Sequence, residues 1–123
     1  MKIKITYKNK KFDISDVRKV SELGKIKGLM FTPREKAQAL LFQFKNPTKQ
    51  PIHSFFVGFP FFAIWLNSED KIREIQKINP WNPSIKPKKP YTKLIEIPCN
   101  SKYTSTTKFL DDNERFKNKN TVR

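Results

Sequence analysis

The sequence has very few of the residues that build disulfides, metal sites and phosphate-binding loops. It contains one cysteine, Cys99, and one histidine, His53. A single cysteine excludes an internal disulfide framework and a Cys-rich zinc site, and a single histidine excludes a paired-His metal motif. The three glycines, Gly24, Gly28 and Gly58, have neither the dinucleotide-binding nor the P-loop spacing. We therefore expect no cofactor and no metal, and no standard enzyme signature is present.

Long hydrophobic runs are also absent. The longest extends from Phe59 to Leu66 with Pro60 inside it, which is far short of the ~20 residues that cross a bilayer. The first residues alternate lysine with isoleucine, unlike the continuous apolar core of a signal peptide. The pattern predicts no membrane span and, with an unpaired cysteine, a cytoplasmic location.

Acidic residues are scarce beside basic ones, since 26 Lys and Arg against 11 Asp and Glu give a net charge of +15. Arginine accounts for only 5 of those 26. Lysine attracts phosphate as a point charge, whereas arginine supplies the fork that reads guanine. One interpretation is therefore a sequence-nonspecific footprint for a polyanion. The other is a dispersed, solvated surface that reflects the lysine, isoleucine and asparagine usage of an AT-rich genome.

Alternation and apolar runs predict a chain made mostly of strands. Isoleucine and tyrosine alternate with polar residues over 3–7, which predicts a half-buried strand, and residues 61–66 are all apolar, which predicts a central strand covered on both faces. Further strands are expected at 11–14, 17–20, 39–44, 52–57, 71–78 and 93–98. The prolines between 79 and 92 exclude helix and central strand there.

Helices contribute little to the predicted fold. A short helix is expected over 22–26, stopped at Gly28, and another over 108–116. We predict a mostly β, small single domain over residues 1–106, with a largely antiparallel sheet or partly closed barrel and one or two short helices. Residues 107–123 are expected to form a basic, polar C-terminal segment, helical at first and then frayed.

Three sequence blocks occur in the order found in one protein family. They are GLMF at 28–31, IHSFFVGFP at 52–60 and LIEIP at 94–98. Over about residues 17–98 the sequence resembles the uncharacterised ancient conserved region family, domain of unknown function 192, in its archaeal form. The resemblance implies a small, mostly antiparallel β domain with one or two short helices and no established activity.

The chain departs from the family pattern at three positions. Val57, Gly58 and Phe62 stand where members usually carry Met, a basic residue and Asp, respectively. The family's usual glycine-rich C-terminal segment is absent after Cys99. If the family's function depends on that basic and acidic pair, this chain has lost it.

Four residues are candidates for a pocket: His53, Phe55, Phe59 and Glu96. His53 is a candidate base or ligand because imidazole can serve in either role, but no motif supplies it with a carboxylate or cysteine partner, which favours a ring satisfied by a backbone group. Glu96 matches a glutamate typical of the family. Within an apolar strand it could receive a cationic ligand or act as a base, or it could form a salt bridge with one of the lysines. Cys99 has no nearby histidine motif, which favours an inert thiol.

The leading functional interpretation is a small, basic, non-enzymatic domain that binds nucleic acid weakly and without sequence preference. Its candidate contacts are Lys2, Lys4, Lys8, Lys10, Lys11, Lys86, Lys88, Lys89 and Lys93, with Trp81, Tyr91 and Tyr103 as stacking residues. The alternative is a protein-interaction or scaffold module that uses an apolar groove near Phe55, Phe59 and Trp81. A third interpretation, an unrecognised hydrolase, lacks any acidic pair at a known spacing. The sequence leaves the oligomeric state open.

Overall fold

The computed structural model describes residues 1–20 and 29–121, with side chains described as far as residue 112. Over this part of the chain it contains seven β-strands, two 3₁₀ helices and one α-helix. The strands are β1 (Ile3–Tyr7), β2 (Lys10–Ile14), β3 (Val17–Val20), β4 (Ala39–Thr48), β5 (Phe61–Leu66), β6 (Ile72–Ile78) and β7 (Tyr91–Pro98). The 3₁₀ helices span Arg34–Lys36 and Ser101–Tyr103, and α1 spans Thr104–Thr121.

The strands form two sheets, neither of which closes into a barrel. β1 and β2 form an antiparallel hairpin, and the other five strands form a sheet in the order β3-β4-β7-β5-β6. All pairs in that sheet are antiparallel except β3 with β4, which run parallel. The prediction of a mostly β, small, largely antiparallel domain is confirmed, and the partly closed barrel is not formed.

The five-stranded sheet is covered on both faces, and β5 lies at the centre of the packing. All six residues of β5 are buried, as predicted, and they alternate between two apolar clusters. Trp65 points to the cluster that is covered by loop residues from 29–37, 52–60 and 85, and we call this side the loop face. Ile64 points to the cluster that is covered by the β1–β2 hairpin and α1, which we call the hairpin face.

The prediction of a strand over 52–57 is wrong. Only Ile52 pairs there, in an isolated bridge with Ile85, and the chain turns at Phe55 and Phe56. Phe56 has a φ of 60°, which is incompatible with an extended strand. The bulky residues that predicted a strand buried on both faces are instead divided between the core and the surface.

The C-terminal helix is longer than predicted and packs on the hairpin face. The Tyr103 hydroxyl accepts a hydrogen bond from Ala39 N at 2.8 Å and donates one to Asp16 O at 2.7 Å. Leu110 is fully buried in the same cluster. Residues 106–107, where the C-terminal segment is expected to begin, lie inside α1. The short helix predicted over 22–26 lies outside the described residues.

Candidate binding surfaces

Four large aromatic side chains are exposed together on loops of the loop face, and we call them the aromatic platform. Phe31 is 66% exposed, Trp81 56%, Phe56 48% and Phe55 38%. The rings of Phe31 and Phe56 stack at 4.9 Å between centroids with an interplanar angle of 24°. Trp81 meets Phe56 edge to face at 5.0 Å and lies 6.4 Å from Phe55. The platform is therefore a continuous series of ring contacts open to solvent.

The backbone that presents these rings is strained. Phe31, Phe56 and Trp81 have φ values of 59°, 60° and 65°. This left-handed conformation costs a residue with a side chain about 1–2 kcal/mol. Such strain persists only where neighbouring structure holds it, and it concentrates at functional sites. Here Phe31 N donates a hydrogen bond to Phe56 O at 2.9 Å, which ties two of the three positions together.

Ser54 holds the third position in place. Its side chain is completely buried, and its Oγ donates to Asn79 O and accepts from Asn82 N, both at 2.7 Å. The Ser54 carbonyl also accepts a hydrogen bond from Trp81 N at 2.9 Å. Because one buried serine joins the segment of Phe56 to that of Trp81, the platform is preorganised rather than assembled from independent loops.

The platform itself carries no charge. Residues 50–68 and 78–85 contain no Lys, Arg, Asp or Glu. Charge begins immediately afterwards along the proline-rich segment, where Lys86, Lys88 and Lys89 are all exposed. That segment is fixed on the sheet because Lys88 N donates to Oε1 of Glu74 at 2.8 Å. Trp81 and the three lysines thus belong to one segment, which is bonded to the sheet at Lys88.

The pocket candidates from the sequence divide between surface and core. His53 is exposed, and its Nδ1 accepts a hydrogen bond from Phe55 N at 3.3 Å, so a backbone group satisfies the ring. Phe55 belongs to the platform. Phe59 is only 2% exposed and packs in the loop-face cluster, so it cannot line an open groove.

Glu96 is a buried carboxyl group without a charged partner in the described part of the chain. It lies on β7 between Leu40 and Ala63 of the neighbouring strands and is 6% exposed. Burial in these apolar surroundings raises its pKa to about 8. Nε1 of Trp65, also beneath the platform loops, is buried without a hydrogen-bond partner. The salt bridge considered for Glu96 is not formed with any described lysine.

A cleft on the hairpin face brings together lysines that are distant in the sequence. It has a volume of about 360 Å³ and contains Lys2, Lys4, Lys19 and Lys93, with Asp70 as its one carboxylate. We call it the lysine cleft. Of the expected nucleic-acid contacts it gathers Lys2, Lys4 and Lys93. Lys8, Lys10 and Lys11 lie instead around the turn at the opposite end of the hairpin, outside the cleft.

Both tyrosines proposed for stacking are inaccessible. Tyr91 is 1% exposed, and its hydroxyl donates to Gln50 O at 2.7 Å. Burial, with the neighbouring Glu96 carboxyl, raises the pKa of Tyr91 to about 12. Tyr103 is 3% exposed. Both rings pack in the core, so the prediction that they stack on bases is wrong. Their role is structural.

Sequence reasoning missed Phe31 and Phe56 in the platform and Lys19 in the cleft. Only Phe55 and Phe56 give a local signal of an exposed ring. They are adjacent in the sequence, and two adjacent rings at a turn cannot both pack into the same core. Lys19 is brought to the cleft by the parallel pairing of β3 with β4, which no local pattern indicates.

The described residues offer no metal site. Within 1–20 and 29–112, no three His, Cys, Asp or Glu side chains are grouped closely enough to hold an ion. The thiol of Cys99 is half-buried, and burial raises its pKa, which is typical of an unreactive cysteine. Within the same described ranges, no helix combines the length and hydrophobicity needed to span a membrane.

The fold defines a small β-rich domain whose five-stranded mixed sheet is covered by a hairpin and helix on one face and by loops on the other. The profile of the Uncharacterized ACR family, domain of unknown function 192, matches residues 3–107. The chain belongs to this family, as the resemblance implied. The match extends past Cys99, where the sequence suggested that the family pattern ends.

Two solved structures share the fold. A candidate transcription regulator from Sinorhizobium meliloti 1021 matches with a TM-score of 0.67 and 17% identity, over 86% of this chain and 84% of that one. A protein of unknown function from Novosphingobium aromaticivorans DSM 12444 matches with a TM-score of 0.63 and 16% identity, over 77% and 70% of the two chains. No curated protein matches the chain.

Proposed function

We propose that this protein binds single-stranded nucleic acid without sequence preference by stacking bases on the aromatic platform. The observation that carries the proposal is the exposed series of Phe31, Phe56 and Trp81 rings on a left-handed backbone. Every unpaired base has a π-face, and stacking on a protein ring contributes about 1–3 kcal/mol per base. Rings held outward at a cost in backbone strain are better explained by a ligand than by the packing of the fold.

The charge distribution supports a contact to the phosphate backbone rather than to base edges. Lys86, Lys88 and Lys89 follow Trp81 on the same segment, while residues 50–68 and 78–85, which carry most of the platform, are uncharged. Lysines neutralise phosphates as point charges, so the binding should weaken steeply with salt and ignore sequence. One solved structure of the same fold, at 17% identity, is that of a candidate transcription regulator. The cytoplasm, which the sequence predicts as the location, contains such strands.

The two tryptophans make a direct test available. Trp65 is fully buried and Trp81 is 56% exposed, so a quencher that stacks on the platform reaches only Trp81. We expect a short oligothymidine to quench part of the tryptophan emission at low salt, and added salt to reverse the quenching. Phe31→Leu keeps an apolar side chain of similar size but removes the π-face, and we expect it to weaken binding several-fold.

Charge variants provide the matched control. Lys86→Gln with Lys88→Gln should lower the slope of log affinity against log salt by about 1.4 units, because each phosphate contact on a single strand contributes about 0.7. Lys10→Gln with Lys11→Gln removes the same charge from the far turn of the hairpin and should leave that slope unchanged. The absence of quenching at low salt, or an equal effect of the two pairs, would contradict the proposal.

The protein-interaction module is the second candidate, and it is favoured by the lack of charge on the platform. A partner protein would bury the apolar side chains themselves rather than use their π-faces. Phe31→Leu would then be nearly neutral for partner binding, and added salt would have little effect. These two results separate the alternatives with the same variant.

A further inference from the structure

The lysine cleft lies on the hairpin face, on the other side of the sheet from the aromatic platform. Its floor contains Leu41 from β4 and Leu66 from β5, both in the hairpin-face cluster. Its lysines come from three separate parts of the chain: Lys2 just before β1 and Lys4 on it, Lys19 on β3, and Lys93 on β7. The fold therefore collects these ammonium groups around one concavity.

The positive charge in the cleft is largely uncompensated. Lys2, Lys4 and Lys19 are exposed and form no ion pair with any described residue. Only Lys93 has a partner there, the carboxylate of Asp70. Like charges around a concave, low-dielectric surface focus a positive field, and an anion is the ligand that relieves their repulsion.

A second cleft adjoins the first, since the two have lining residues in common. That cleft has a volume of about 320 Å³, shares Gln43 and Lys93 with the first, and adds Lys45. It is also lined by Thr92, whose Oγ1 is buried without a hydrogen-bond partner. The two adjoining spaces suit an elongated anion rather than a single compact one.

We propose that the lysine cleft is a binding site for a linear chain of phosphate groups, separate from the aromatic platform. The lining residues of the two clefts include five lysines, one carboxylate and no arginine. Lysine ammonium groups neutralise successive phosphates without the planar recognition that arginine gives. The site therefore recognises the spacing and number of negative charges and not an attached base or sugar.

Asp70 limits the affinity of this site. Its carboxylate holds the Lys93 ammonium at the junction of the two clefts, so a phosphate chain must compete with it. Asp70 itself has a φ of 62°, a conformation that Asn adopts as readily as Asp. Asp70→Asn should therefore release Lys93 without distorting the turn, and tighten phosphate binding.

Inorganic tripolyphosphate is the probe, and calorimetric titration of the full chain at low salt is the measurement. We expect one bound molecule per chain, tighter binding for tripolyphosphate than for monophosphate, and a further gain in Asp70→Asn. Lys4→Gln with Lys19→Gln should weaken binding by about tenfold, as expected for lost charge-assisted contacts. The pair Lys10→Gln with Lys11→Gln has the same net charge and should change it by less than about twofold.

Equal weakening by the two lysine pairs would show attraction to net charge alone and would overturn the site, as would an absence of binding at low salt. Independence from the platform is tested with Phe31→Leu, which should weaken oligothymidine binding and leave tripolyphosphate binding unchanged. Tripolyphosphate that displaces oligothymidine stoichiometrically would overturn the claim of two separate sites. Failure of oligothymidine to bind would contradict the platform proposal and leave the cleft proposal standing.

Discussion

The two faces of the central sheet present opposite chemistry to solvent. On the loop face the exposed surface is a set of uncharged rings, and on the hairpin face it is a cleft lined by lysines. The strand β7 lies between the two surfaces. Because side chains alternate along it, Glu96 faces the loops and Lys93 faces the cleft. One strand thus packs beneath the platform loops on one face and lines the lysine cleft on the other.

The two surfaces also differ in the unfavourable energy that they retain. The platform retains backbone strain at Phe31, Phe56 and Trp81, while the cleft retains repulsion between ammonium groups. Stacked bases would exploit the first and phosphates would relieve the second. The net charge of +15 therefore contributes to the lysine cleft, whereas the rings of the aromatic platform carry no charge.

The largest expected effect comes from Glu96, a carboxyl group buried beneath the platform loops. The pKa of Glu96 is raised from 4.5 to about 8, so the folded state holds a proton that the unfolded state releases. This stability is fully present below about pH 4.5 and is lost as pH rises toward 8, by about 1.4 kcal/mol per pH unit. We expect Glu96→Gln to remove that loss and to be the more stable protein at pH 8 and above.

Urea denaturation at a series of pH values between 5.5 and 9 measures this difference. Glu69→Gln is the matched control, since the Glu69 side chain is 73% exposed and carries only a surface contact to Lys71. It should follow the wild-type curve. A wild-type stability that is flat over this range would mean that Glu96 is not held in its neutral form, and that the loop face tolerates a buried charge.

How far the sequence predicts these two surfaces depends on whether the signal is local. The strands β1 and β5 follow from alternation and from a continuous apolar run, which depend on neighbouring residues only. The cleft depends on pairing between strands that are far apart in the chain, such as β3 with β4, and composition does not contain that information. The sequence therefore gives the number of lysines but does not predict which of them meet at the cleft.

The sequence does not predict the aromatic platform, for a different reason. A left-handed φ is expected at glycine or asparagine, so phenylalanine at 31 and 56 gives no turn signal. Trp81 is predicted to be a stacking residue because it lies in the proline-rich segment beside lysines. Tyr91 has the same sequence context and is buried, because it begins the central strand β7. Exposure of an aromatic residue is thus decided by tertiary packing rather than by its neighbours in the chain.

A smaller effect is expected from the buried serine that joins the platform segments. Ser54→Ala removes the hydroxyl that donates to Asn79 O and accepts from Asn82 N. Leaving these partly buried backbone groups unpaired should lower the free energy of unfolding by about 1 kcal/mol. We also expect the Trp81 emission to become more accessible to acrylamide, because its segment loses a tether to the rest of the platform.

Ser84→Ala is the matched control for this prediction. Ser84 lies exposed on the same proline-rich segment, and its side chain takes no part in joining the loops. Its substitution should leave both the unfolding free energy and the quenching unchanged. Equal behaviour of the two serine variants would show that the platform is held by the apolar packing beneath it and not by Ser54.

The smallest effects test why the platform uses aromatic residues in a strained backbone. Phe31 adopts a left-handed φ, whereas the nearby Gly58 does not and has open space where a Cβ would stand. Gly58→Ala should therefore raise the free energy of unfolding by about 0.4–1 kcal/mol, through the entropy of the unfolded chain. If Gly58→Ala is instead less stable than the wild type, the backbone at residue 58 must adopt a conformation that glycine tolerates and alanine does not.

Phe31→Gly is the complementary change, and urea denaturation combined with oligothymidine titration measures both of its consequences. Relief of about 1–2 kcal/mol of left-handed strain opposes the greater backbone entropy of glycine, about 0.5–1 kcal/mol, and the loss of the ring contact with Phe56. We expect stability within about 1 kcal/mol of the wild type. Reduced oligothymidine binding at unchanged stability would mean that the ring is retained for a ligand. A large loss of stability with unchanged binding would instead make Phe31 a structural residue, and the two faces would then differ in charge but not in function.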